Sequence, residues 1–216
     1  MEEAASIPLV GLTAWQALVE IAKLKKGQKV FIQAGSGGVG TFAIQLAKHL
    51  GAFVATTTST KNIDLVKRLG ADLVIDYKKE DFAAILKDYD VALHSNRQAT
   101  VLTTSLDVLK KGGTLVSLTG PPTPEFAKEL GLAWHIKAIT TLLSMGVKKT
   151  AKKLGVNFKF LFMKAAGNQL SEITKLIEAG IIGPVIDKVF PFEQVNDAMI
   201  YVETGRAKGK VVVKVK

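Results

Sequence analysis

The chain has 216 residues, 48% of them hydrophobic, no cysteine and a formal net charge of +10. That is enough apolar mass for a sizeable core, and it excludes a disordered chain, a disulfide scaffold and a thiolate metal site. No apolar run approaches the ~20 residues that cross a bilayer, and the acidic start Met1-Glu2-Glu3 is unlike a signal peptide, so the default location is cytoplasmic.

Apolar spacing predicts a helix over Ala4–Leu24, with Pro8 near its start and Lys25-Lys26-Gly27 as its stop. Lys29–Ala34 reads as a strand, then a glycine-rich loop leads into a helix over Val39–Leu50, closed by Gly51. Phe53–Thr58 is the next strand, which makes a strand–helix–strand unit of βαβ size. The alternation continues with a helix over Asn62–Leu69, a strand over Leu73–Ile75, a helix over Glu80–Lys87 and a strand over Tyr89–Leu93. A helix over Ala99–Leu109 and a fifth strand over Thr114–Leu118 follow. Strands this apolar, alternating with helices, predict a Rossmann-type α/β fold: a doubly wound parallel sheet with helices on both faces.

Pro121-Pro122-Thr123-Pro124 breaks the rhythm, and a mostly helical region runs to Leu154. Phe158–Met163 reads as a sixth strand and Leu170–Ala179 as a helix. The tail is a strand over Val185–Phe190, a helix over Phe192–Thr204 and a strand over Lys210–Lys216. Between Leu130 and Ser171 there are seven lysines and no acidic residue. Lys148, Lys149, Lys152 and Lys153 share one helical face, and Trp134, Ile139, Leu142, Leu143 and Val147 lie on the other side. That helix suits either a substrate mouth or a subunit contact. The basic balance also admits a polyanion as partner. Nucleic acid is the weaker choice, because the basic segment lacks interleaved arginine and aromatic residues. His49, His94 and His135 lack ligand spacing, so no metal site is expected within the chain.

The chemistry concentrates at Gly35-Ser36-Gly37-Gly38-Val39-Gly40, a G-x-G-x-x-G loop that follows a strand and opens a helix. Gly35 permits the tight turn, Gly37 the approach of a pyrophosphate, and Gly40 close helix–strand packing. The helix N-terminus presents free N–H groups and a positive dipole end to the phosphates. NAD sites usually carry an acidic residue at the end of the second strand, to bind the ribose 2′-OH. Here Thr57-Thr58-Ser59-Thr60-Lys61-Asn62 stands in that place. Hydroxyls and a lysine hold a 2′-phosphate that a carboxylate would repel, which favours NADP(H). Ser59 and Thr60 serve equally as a helix N-cap.

Ala34–Gly40 with Ala43-Ile44-Gln45-Leu46-Ala47, Leu69-Gly70-Ala71-Asp72 with Val74-Ile75-Asp76-Tyr77, Pro8–Trp15 and Gly205–Val212 together resemble the zinc-independent quinone oxidoreductase and enone reductase branch of the medium-chain dehydrogenase/reductase superfamily. The resemblance covers nearly the whole chain. It implies a linking helix over 1–27, an NADP-binding Rossmann domain over 28–184 and a remnant of the catalytic domain over 185–216. It also implies that a GroES-like catalytic domain is missing from the N-terminal side, in a fragment, an excised domain or a natural truncation.

By the same resemblance Lys61 and Tyr77 bind the 2′-phosphate, with Thr58 and Ser59 beside them and Arg206 reaching in from the tail. Leu118-Thr119-Gly120 and Phe160-Leu161-Phe162 line the nicotinamide. The family places an acidic residue and glycines after the fourth strand, where this chain has His94-Ser95-Asn96-Arg97-Gln98. Asn96 is left to meet the ribose through its backbone, and His94 reads as a packing histidine. The implied reaction is hydride transfer to a quinone or α,β-unsaturated carbonyl, with a homodimer formed through the sixth strand. No nucleophile–base pair or paired carboxylates are present, so no catalytic residue is assigned. The alternative is an NADP(H)-binding module without turnover.

Overall fold

The computed structural model describes residues 1–96 and 98–215. Arg97 and Lys216, placed by sequence in the loop after the fourth strand and in the final strand, lie outside the described residues.

The first helix of the sequence reading is three pieces. Glu2–Ser6 (α1) ends where Pro8, which cannot donate to the preceding turn, starts a second helix, Pro8–Trp15 (α2). A π-helical turn over Gln16–Ile21 follows. The Rossmann elements are Lys29–Ile32 (β1), Gly38–His49 (α3), Phe53–Thr58 (β2), Ile63–Arg68 (α4), Leu73–Asp76 (β3), Phe82–Ile85 (α5), Tyr89–His94 (β4), Ala99–Asp107 (α6) and Leu109–Ser117 (β5). Pro124–Glu129 (α7), Trp134–Leu154 (α8), Asn157–Phe160 (β6) and Gly167–Glu178 (α9) complete that part. The tail is Ile186–Pro191 (β7), Val195–Glu203 (α10) and Lys210–Lys214 (β8).

Several boundaries move. β1 stops at Ile32 because Ala34 turns left-handed, with φ of +52°. The helix expected over Glu80–Lys87 is the single turn α5, with Asp81 accepting from the Ala83 N–H as its cap. β5 begins at Leu109, where a helix end was expected, and a register shift over Tyr89/Val91 absorbs Lys110–Gly113. β6 ends at Phe160, so Phe162 and Met163 lie beyond it.

Six parallel strands form one sheet in the order β3-β2-β1-β4-β5-β6. This is the doubly wound arrangement, whose switch point lies between β1 and β4. Strand alternation sends Val30, Ile32, Val91, Leu93 and Val116 to one face, under α2, α3 and α9. Phe31, Ala92 and Leu115 go to the other, with Leu102 and Leu106 of α6 and Val147 and Ala151 of α8. β7 and β8 pair with each other in parallel as a separate two-stranded sheet. α8 buries only the stripe Thr140, Ser144, Val147 and Ala151, while Trp134, Ile139, Leu142 and Leu143 stay exposed. A groove of about 930 Å³ runs along β6, with Gln16, Phe126 and Lys152 in its lining.

Candidate functional site at the carboxyl ends of the strands

The Gly35–Gly40 loop crosses from β1 into α3 at the switch point. Its turn is pinned by the Gly35 N–H donating to Thr57 O (2.9 Å), the Gly37 N–H to Ala34 O (2.9 Å) and the Ala34 N–H to the Thr57 hydroxyl (3.2 Å). A Cβ on Gly35 would run into the Thr56 hydroxyl, and one on Gly40 into Ala34 O and Gly35. These two glycines are demanded by packing. Gly37 has room by comparison, and as N-cap of α3 it offers no side chain to the first turn. The first loop-to-helix bond is Thr41 N–H to Gly37 O, so the N–H groups of Gly38, Val39 and Gly40 precede the helical ladder. Uncapped N–H groups at the start of a 12-residue helix are the donor set that a diphosphate requires, and the residues present fit one.

The second strand's end closes on this loop. Ser36 Oγ accepts from the Thr58 hydroxyl (3.0 Å) and from Asn62 Nδ2 (3.0 Å), and Asn62 also reaches Ser59 Oγ (3.4 Å). Asn62 Oδ1 is buried with no partner among the described residues. The Tyr77 N–H donates to Thr58 O, and the tyrosine ring is exposed at the end of β3. Lys61 is exposed in the 3-10 turn Thr60–Asn62. Asp76, at the end of β3 beside Thr60, is buried. Its carboxylate is held below the ordinary range mainly by the Thr60 hydroxyl, with the Lys78 N–H assisting, which ties its charge inward.

The remaining strand ends form a second half. Gln33 bridges β1 to α6 and β4, donating to Ser105 Oγ (2.7 Å) and accepting the Ser95 hydroxyl at its carbonyl (3.3 Å). The Leu118 N–H donates to His94 O (2.9 Å), the Thr119 hydroxyl to Asn96 O (2.6 Å), and the Leu161 N–H to Ser117 O (2.9 Å). A cavity of about 760 Å³ opens between the halves, lined by Ala34, Thr57, Tyr77, Lys78, Ser95 and Asn96. Its size is that of a small-molecule pocket.

Of the residues expected at the site, the Gly loop, Thr58, Ser59 and Tyr77 come together, and Asn96, Leu118, Thr119 and Gly120 form the other corner. Phe160, Leu161 and Phe162 do not share one wall. Leu161 enters the core, while Phe160 and Phe162 turn to Phe126 of α7, at ring distances of 5.2 and 5.8 Å. Arg206 is exposed on the turn after α10. That tail does reach the loop: Gly37 bridges Gly209, whose N–H donates to Ser36 O (2.8 Å). Sequence reasoning gave no individual role to Asn62, Gln33, Ser117 or Gly209, although Asn62 and Gly209 lie in segments it singled out. Only Asn62, directly after Lys61, carried a local signal.

The fold and this loop define a Rossmann-type dinucleotide-binding protein. Residues 69–213 match the family model described as zinc-binding dehydrogenase, and the chain belongs to that family. It is 40% identical to the mitochondrial NAD(P)H oxidoreductase RTN4IP1 of Mus musculus, over 99% of this chain and 55% of that protein. It is 37% identical to the 2-methylene-furan-3-one reductase of Solanum lycopersicum, over 98% of this chain and 46% of that protein. The quinone oxidoreductase structure from Coxiella burnetii superposes with a TM-score of 0.83 at 33% identity, covering 99% of this chain and 60% of that one. The chain thus spans about half the length of the curated relatives. The resemblance to quinone and enone reductases of the medium-chain type is borne out. No group of three or more His, Cys, Asp or Glu side chains that could hold a metal ion comes together among the described residues. No described helix is long and apolar enough to cross a membrane.

Proposed function

We propose that this chain is the NADP(H)-binding part of a zinc-independent reductase that delivers hydride to a quinone or an α,β-unsaturated carbonyl. The observation that carries the cofactor is the uncapped start of α3 beside a β2 end built of hydroxyls, Asn62 and Lys61, with the neighbouring carboxylate of Asp76 turned inward. NADPH, when bound, supplies the hydride; the protein orients it and excludes water. In this reading Gly35–Gly40 hold the diphosphate through backbone N–H groups. Thr58, Ser59, Lys61 and Tyr77, with Arg206 from the tail, hold the 2′-phosphate. Asn96 meets the ribose and Leu118–Gly120 border the nicotinamide; Phe160–Phe162, expected on the same wall, contribute at most an edge, since Leu161 is in the core and both phenylalanines turn to Phe126. The substrate class rests on the relatives' names, and a homodimer through the β6 edge belongs to the same proposal, as does the division at 27/28 and 184/185. So does a cytoplasmic location, although relatives include one named mitochondrial.

A second reading is an NADP(H)-binding module without turnover, favoured by the absence of any nucleophile–base pair or paired carboxylates from the sequence. Calorimetry of the 216-residue chain with NADPH and NADH tests the cofactor: NADPH is expected to bind at least about tenfold tighter, ~1.4 kcal/mol. Equal affinities overturn the 2′-phosphate assignment, and absence of binding overturns the proposal. Oxidation of NADPH by an enone or quinone then separates enzyme from binding module.

A further inference from the structure

At the end of β4 the imidazole of His94 is 1% exposed and lies on the sheet face that alternation gives also to Ser117. Its Nδ1 is 2.8 Å from the Ser117 hydroxyl, and that same oxygen accepts the Gly120 N–H at 2.8 Å. An oxygen that accepts from Gly120 keeps its own proton to donate, and Nδ1 is the acceptor within reach. That arrangement makes the ring neutral with its proton on Nε2, which is buried without a partner among the described residues, and it is the tautomer that the test below reads. Burial independently keeps it neutral, pulling its pKa down to about 4. The corner is full: a Cβ on Gly120 would meet Ser117 Oγ at 2.6 Å, so this turn has little slack.

We propose that His94 is a positioning residue. By accepting the Ser117 proton at Nδ1 it aims the hydroxyl oxygen at the Gly120 N–H, and so fixes the Leu118-Thr119-Gly120 turn as the wall of the nicotinamide end; this rests on the cofactor reading above. A leucine at 94 would leave the Ser117 proton free to rotate, and the turn would lose its anchor. Asparagine places a carbonyl oxygen near the position of Nδ1 and keeps the acceptor.

The test uses the intact chain. The ¹⁵N spectrum of His94 in the unsubstituted protein is expected to show Nδ1 unprotonated and Nε2 protonated. In His94→Leu the Gly120 amide is expected to exchange about tenfold faster, the scale of one lost hydrogen bond. NADPH should weaken about tenfold in that variant, while adenosine 2′,5′-bisphosphate, which lacks the nicotinamide, keeps its affinity. His94→Asn should restore both. A proton on Nδ1, unchanged Gly120 protection in the leucine variant, or equal losses for both adenosine nucleotides overturns the assignment. If the unsubstituted chain binds neither nucleotide, the cofactor reading falls, and the tautomer and the Gly120 exchange still decide the role of His94.

Discussion

At the scale of single residues, burial separates the groups that matter from those that merely carry charge. His94 is neutral in the fold with a pKa near 4, against 6.5 unfolded. Below pH 6.5 the unfolded chain takes up a proton that the folded one refuses. This contribution is therefore whole above pH 6.5 and lost as the pH falls towards 4, roughly 3 kcal/mol across that window. Urea midpoints at pH 7 and pH 5 are expected to draw apart in the unsubstituted protein and to lie closer in His94→Asn. Glu125 is also displaced, down to about 2 by its bond to the Lys148 ammonium, so its share of stability is present above its unfolded pKa and lost below it. Its side chain is 61% exposed, however, and solvent screening leaves such a pair below ~1 kcal/mol. Glu125→Gln should hardly shift the midpoint at pH 7. Gly40→Ala is a steric matter instead. The new methyl meets Ala34 O, and a loss of about 1–3 kcal/mol is expected, with weaker nucleotide binding by calorimetry.

At the scale of elements, the Gly loop and the strands around it were legible because each signal is local: a glycine spacing, a β-rich run, a closing glycine. The 3-2-1-4-5-6 order was legible only as a class, since it depends on crossovers rather than on any one segment. The π-turn was not legible. Gln16, at its start, donates from its side chain to Lys164 O (2.7 Å) and to Gln169 (2.8 Å) and accepts from the Lys164 N–H (3.1 Å), about 150 positions away. Gln33 and Ser105 found each other across 72 positions in the same way. Gln16→Ala is expected to cost ~1–3 kcal/mol in a urea titration, because it strips a partner from buried polar groups. Amide exchange should locate the loosening at Lys164.

For the whole molecule, a net charge of +10 makes the surface attractive to any polyanion. If the nucleotide is held by its phosphates, affinity for NADPH should fall as salt rises from about 0.01 M to 0.15 M, as the screening length contracts from ~30 Å to ~8 Å. NADH, with one phosphate fewer, should respond less; an identical slope for both would argue that the 2′-phosphate meets no cation. The β6 groove has its own whole-molecule test. Sedimentation should reveal a dimer if the edge strand is shared between copies, and a monomer at all concentrations would retire that part of the proposal.

The bridge between Gly37 and Gly209 has a consequence for how the protein comes to exist. The loop receives this backbone partner only after a stretch 172 residues further along has been made. Early helices and strands have neighbours at hand, whereas the phosphate loop waits for a stretch 172 residues later. Contacts so distant in sequence form late. A nascent chain halted before Gly209 would carry all six strands of the parallel sheet and an unbraced loop, so ligand capture would come after the sheet is made.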